Sequence, residues 1–237
     1  MSKVVCRTII PTAFAGNIFG KGGSVLNEMR DTFKAKISIP NSDGPERNVY
    51  VESMDVKDVA SCTVALALRI QEDMQKINKS LGVDDIELRM LLHTSQAGHV
   101  IGHKGDNISA LRKETDCKIK LHSLKCPMST DRICQISGKV ANVTDCLDKI
   151  LADLTTTPLE GNVIQYDANM FNEREEYGGF KSWIIESATG KVMRRPPGDR
   201  DRYNDRYNDR GDRRYDDRRD RDDGSERRPR GYDRGLG

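Results

Sequence analysis

The feature that most limits what this chain can become is that it nearly repeats itself. Shifting the sequence by 82 positions lays Ala15-Gly16 on Ala97-Gly98, Gly20 on Gly102, and Gly23 on Gly105. The same shift pairs Leu26 with Ile108, Met29 with Leu111, Arg30 with Arg112 and Ile37 with Ile119. Upstream it lays Arg7-Thr8-Ile9-Ile10 on Arg89-Met90-Leu91-Leu92. Beyond residue 40 the offset grows to 85, so that Arg47 meets Arg132 and Val51 meets Ile136. One confined insertion is what a variable surface loop produces. The fold must therefore place one small unit twice.

Each copy reads in the same order. A β-rich run (VVCRTII, IELRMLL) precedes a short helix (AFAGNIF, QAGHVI), which leads into a Gly-x-x-Gly tetrad. A second helix follows (SVLNEMRDTF, DNISALRKET), with Ser24 and Asp106 expected as its caps. An alternating strand (KAKISIP, CKIKLHS) and a turn-rich loop lead to a third strand, RNVYVE or RICQIS. A long helix closes each copy. Its apolar stripe runs Val56, Val59, Thr63, Ala67, Ile70, Met74, Ile77 in the first copy and Val140, Val143, Leu147, Ile150, Leu151, Leu154 in the second. Such stripes belong to a core. The expectation is an α+β fold: two small domains, each a three-stranded antiparallel sheet with three helices on one face. The divisions expected are 3–79 and 86–157 for the domains, 80–85 for a linker, 158–193 for an extension and 194–237 for a tail.

Only 36% of the 237 residues are hydrophobic and 32% are charged, with a mean hydropathy of -0.68, too polar for a uniformly packed globule. The imbalance gathers from Arg194 onward, where 15 arginines face 12 acids with four tyrosines and almost nothing apolar. That tail is expected to be disordered, either as a solubilising segment or through Arg and Tyr stacking on bases. Its near-balanced charge argues against strong RNA affinity of its own. No run approaches the ~18–20 apolar residues of a membrane helix, so no membrane role is expected. The N-terminal MSKVVCRTIIP lacks a cleavage site of small residues, and no signal peptide is expected. The six cysteines form no Cys-x-x-Cys pair and His93, His99 and His122 are scattered. Buried reduced thiols, no metal, no cofactor and no catalysis are the expectations.

The tetrads carry the chemistry. Glycine has no Cβ, so a sugar-phosphate chain can approach the backbone closely. Amides opening the next helix, with its dipole, favour an anion there. Lys21 and Lys104 add mobile positive charge. His103 stands where the first copy has Lys21, so the second loop is expected to be weaker or pH-sensitive. A Walker loop is excluded, because no Gly-Lys-Ser/Thr follows at the needed spacing. Dinucleotide folds are disfavoured, because their glycines directly follow a strand in parallel β-α-β units. The strands 35–39 and 117–121 form the opposite wall, and the apolar Ile18, Ile37 and their counterparts are expected to pack on base faces.

This order of elements, with IFGKGG and VIGHKG in place, resembles tandem type I KH domains. Residues 117–139 and the stretch from Pro158 to Phe180 containing EEYGGF resemble the family of heterogeneous nuclear ribonucleoprotein K and the poly(C)-binding proteins. That family carries a third KH domain, which these residues do not contain, and an Arg-Gly-rich region where this chain has its Asp/Arg/Tyr tract. The resemblance implies a groove for about four unpaired nucleotides and a preference for cytosine-rich RNA. It implies arginines that contact cytosine at Arg30 and Arg47, then at Arg112 and Arg132. Glu46 or Asp131 is expected to accept from the cytosine amino group. The full first groove is expected to comprise Gly16, Asn17, Ile18, Gly20, Lys21, Gly22, Gly23, Arg30, Lys36, Ile37, Ile39 and Arg47. The second comprises Gly98, His99, Val100, Gly102, His103, Lys104, Gly105, Arg112, Lys118, Ile119 and Arg132. Pairing between the two KH domains is also implied, and other ribonucleoproteins are expected partners. The implied role is regulation of mRNA processing, stability or translation, in nucleus and cytoplasm. The alternatives are a transcriptional cofactor on single-stranded DNA, or a protein scaffold with incidental RNA binding.

Overall fold

In the computed structural model, residues 3–77 and 85–181 are described; the tail from 194, part of the extension and residues 80–84 of the linker lie outside them. The first repeat runs β1 (Val4–Pro11), α1 (Thr12–Phe19), α2 (Ser24–Phe33), β2 (Lys36–Ser38), β3 (Glu46–Ser53) and α3 (Val56–Ile77). The second runs β4 (Asp85–His93), α4 (Thr94–Ile101), α5 (Asp106–Thr115), β5 (Lys118–Lys125), β6 (Asp131–Lys139) and α6 (Val140–Thr156). β2 is shorter than the run KAKISIP suggests: Lys34 ends α2 in a left-handed conformation just before it, and Pro40 has no amide with which to continue the ladder beyond it.

The two repeats do not form separate sheets. They share one of six strands, in the order β2-β3-β1-β4-β6-β5, with every described pairing antiparallel. At the centre, Thr8 of β1 lies opposite Met90 of β4. These are the very residues that the 82-residue shift superposes. A local two-fold axis therefore passes between them, perpendicular to the sheet. The equivalent helices α3 and α6 pack together on the same side.

Alternation along the strands sorts the side chains to two faces. Cys6, Ile10, Val49, Val51, Leu88, Met90, Cys134 and Ile136 join the helices in one continuous core. Ile9, Leu91 and Ile133 point the other way, into a second cluster closed by Tyr166, Ala168 and Tyr177. Those closing residues come from the extension, which crosses both repeats as a clasp. Asn48 Nδ2 donates to Tyr166 O, Ala168 N to Asn48 Oδ1, and Tyr166 N to Asp131 Oδ2. Phe171 lies against Gly44, where a Cβ would sit 2.5 Å from its ring.

The clasp also breaks the two-fold symmetry. Asp131 and Glu46 are equivalent by the 85-residue shift, as are Arg7 and Arg89. On one side the pair is direct: Arg7 makes two hydrogen bonds, of 2.6 and 2.8 Å, to a fully buried Asp131. On the other, the clasp comes between. Tyr166 and Tyr177 hydroxyls donate to Glu46 Oε1 at 2.5 and 2.8 Å, and Phe180 N to Oε2 at 2.6 Å. Arg89 turns to Gly178 O and to the Phe180 ring, 3.9 Å from its centroid.

Burial holds Glu46 above the usual carboxylate range, more strongly than its three donors pull it down. The folded state thus binds this proton more tightly than the unfolded chain does. Its contribution to stability is complete below the ordinary value of 4.5 and fades as pH rises through the raised folded value. Glu46→Gln is therefore expected to flatten the fall in stability between pH 4.5 and neutrality, read from urea midpoints of both proteins across that window. Parallel pH profiles would show that folding leaves the proton affinity of Glu46 unchanged.

Candidate nucleic-acid interface

Each tetrad sits between two helices on the core side of an outer strand. α1 ends at Phe19, Gly20 takes φ 69° and ψ -179°, and one 3-10 turn over Lys21–Gly23 enters α2. Gly102 repeats this with φ 74° and ψ -177° before the turn His103–Gly105 and α5. Glycine is required at these two sites on a second ground as well. A Cβ at Gly20 would lie 2.5 Å from Val25 Cγ2, and one at Gly102 would lie 2.5 Å from Asn107 Cγ. The middle of each tetrad differs. Gly22 has φ 64° with open space around it, whereas its counterpart Lys104 holds a left-handed φ of 52° despite its side chain. Lys21, Gly22, His103 and Lys104 are all exposed.

Ser24 and Asp106 are not the caps that their position suggests. Both are already helical, Gly23 and Gly105 hold the cap positions, and no side chain covers either helix start. The amides of Ser24 and Asp106 turn back to Lys21 O and His103 O. The next amides in each first turn have no partner within their helix. Asp106 places a negative charge in the first turn of α5, where α2 has none. Each tetrad carries one lysine, Lys21 in the first and Lys104 in the second, where His103 takes the position of Lys21.

The arginines ending the second helices staple the two walls. Arg30 Nη2 donates to Ile37 O at 2.7 Å and its Nη1 to Asn27 Oδ1. Arg112 donates from Nε and Nη2 to Ile119 O at 3.0 and 2.5 Å. The same bond thus recurs at the same place in both repeats. It occupies a carbonyl of the strand that forms the opposite wall, yet leaves further guanidinium donors free of that bond. Arg47 donates to Asn41 Oδ1, and its Nε is buried without an acceptor. Arg132 donates to His122 O. Lys36 and Lys118 are exposed on the outer strands. Gly16, Asn17, Gly98 and His99 are exposed on the short helices, where a Cβ at either glycine would meet open space. His99 Nε2 lies 2.9 Å from Asp153 Oδ2 of α6.

Two expectations fail. Ile18, Ile37, Val100 and Ile119 are 0, 1, 4 and 3% exposed, and Ile39 is 9%. They underlie the groove as core and offer no face to a base, because the small sheet needs them to bury the helices. Glu46 and Asp131 are both 0% exposed on the opposite face, under the clasp. Neighbouring strand residues alternate, so Glu46 cannot share a face with Arg47, nor Asp131 with Arg132. That alternation was available in the sequence. The asparagines that hold these arginines, Asn27 and Asn41, carried no comparable signal.

Among the described residues, no group of three His, Cys, Asp or Glu could hold a metal, and no helix is long and apolar enough to cross a membrane. All six cysteines are free and buried. Burial pushes the thiols of Cys6, Cys62, Cys134 and Cys146 up to about 12, so they remain neutral.

A sheet backed by three helices per repeat, with a side-chain-poor basic tetrad between the first two, defines a single-strand nucleic-acid-binding module. The KH domain family matches residues 5–67 and 87–152, and the chain belongs to that family. Among solved structures, Dim2p from Pyrococcus horikoshii OT3 is similar at 16% identity and a TM-score of 0.25, covering 64% of this chain and 91% of that one. The a/eIF2alpha-aDim2p-rRNA complex from the same organism is similar at 16% identity and a TM-score of 0.26, covering 66% and 88%.

Proposed function

We propose that this protein binds single-stranded, cytosine-rich RNA through both tetrad grooves and thereby regulates mRNA processing, stability or translation, in nucleus and cytoplasm. The observation that carries the reading is the recurrence, in each repeat, of an exposed basic tetrad beside an arginine stapled to the facing strand. The tetrad seats the backbone, which is how a KH loop clamps about four nucleotides. Arg30 with Arg47, and Arg112 with Arg132, supply donors matching the O2 and N3 acceptors of cytosine. The likeness of residues 117–139 and 158–180 to the heterogeneous nuclear ribonucleoprotein K family supports the same preference.

A panel of RNA and DNA homopolymers, titrated against the full chain at fixed salt, tests this directly. Poly(C) RNA is expected to bind at least ~10-fold more tightly than poly(A), poly(G) or poly(U), a difference of about 1.4 kcal/mol. Equal affinity for all four would remove the cytosine preference, and tighter binding of the DNA series would favour the transcriptional reading.

A further inference from the structure

The way the repeats are joined dictates what a bound strand must look like. The axis between Thr8 and Met90 is perpendicular to the sheet, so any in-plane direction in one repeat is reversed in the other. Two strands seated in equivalent grooves therefore run antiparallel. The grooves also lie at opposite margins, since β2 and β5 are the outermost of the six strands. Five strand spacings separate them, about 24 Å at about 4.8 Å each. Stacked nucleotides advancing about 3.4 Å apiece need roughly seven to cover that distance.

The arrangement is braced against rotation. The Arg7–Asp131 pair ties the first repeat to the second, and the clasp bonds Asn48 and Glu46 of one together with Asp131 and Arg89 of the other. A strand must fit this spacing.

We propose that this protein selects single strands carrying two cytosine-rich tracts separated by a spacer that reverses the strand and crosses the sheet, and that one short continuous tract fills only one groove. This rests on the RNA-binding reading above and adds the target's layout to it. A second consequence follows from the axis. The path from the first groove to the second matches the path from the second to the first, so a strand can enter at either end.

The test uses the full chain with synthetic RNAs: a single C4 tract, and two C4 tracts joined by zero to twelve adenosines, which stack. Affinity is read by fluorescence anisotropy, and 1:1 stoichiometry is checked by sedimentation. Two-tract RNAs are expected to bind like the single tract at spacers of zero to two. They should gain about 100-fold once the spacer reaches roughly seven, because the second contact is then intramolecular. Placing Asp-Asp at His103-Lys104 should abolish that gain and restore single-tract affinity. A gain already complete without a spacer, or no gain at any length, would overturn the layout while leaving cytosine binding intact. Failure of the single C4 tract and of every two-tract RNA to bind would overturn both.

Discussion

Replacing Lys21-Gly22 and His103-Lys104 with Asp-Asp in one chain is expected to weaken binding of cytosine-rich RNA by about 100-fold or more, with the fold intact. All four positions are exposed, and a side chain at Gly22 meets open space. Aspartate tolerates the left-handed backbone that Gly22 and Lys104 adopt. Stability should therefore change little. Binding should change a great deal, because a charge-assisted hydrogen bond contributes about 1.5–3 kcal/mol and is replaced by repulsion at the same point. The slope of affinity against salt should also become shallower, since fewer counterions are released. Anisotropy titrations at two salt concentrations, with circular dichroism on the same samples, measure both effects. Undiminished affinity in a folded double variant would mean that the strand lies elsewhere.

Gly20→Ala is expected to destabilise the first repeat by about 2–6 kcal/mol. Its φ of 69° and ψ of -179° lie in a region that only glycine occupies readily, costing about 1–3 kcal/mol for another residue. The added methyl would press on Val25 Cγ2 and Cβ at 2.5 and 2.9 Å, contacts that α2 cannot yield without shifting, for about 1–3 kcal/mol more. Gly22→Ala in the same loop should cost only about 1–2 kcal/mol, because it meets no neighbour. Comparing urea midpoints of the two variants separates steric need from functional need within one tetrad. Equal losses would mean that φ alone matters.

Much of this fold could be read beforehand because local signals agreed. The runs SVLNEMRDTF and DNISALRKET are helical over those ranges in the structure, although Gly23 and Gly105, and not Ser24 and Asp106, hold their cap positions. The repeat offset carried the arginines to matching places. The groove floor was misjudged because periodicity shows which residues share a face but not how deeply a thin sheet buries them. Ile37 and Ile119 met that limit. The clasp was less legible still. Tyr166 and Tyr177 are eleven positions apart with no strand or helix period between them, and they are held by Glu46 and Asn48 from far upstream. Nothing local announces such contacts. Buried side chains from distant segments create them only once the sheet exists.

The axis at Thr8 and Met90 gives the central seam the self-complementary form normally found where two identical molecules meet. Here both sides belong to one polypeptide, so dilution cannot part them. Scarcity or abundance of the protein in a cell leaves the distance between its two tetrads unaltered.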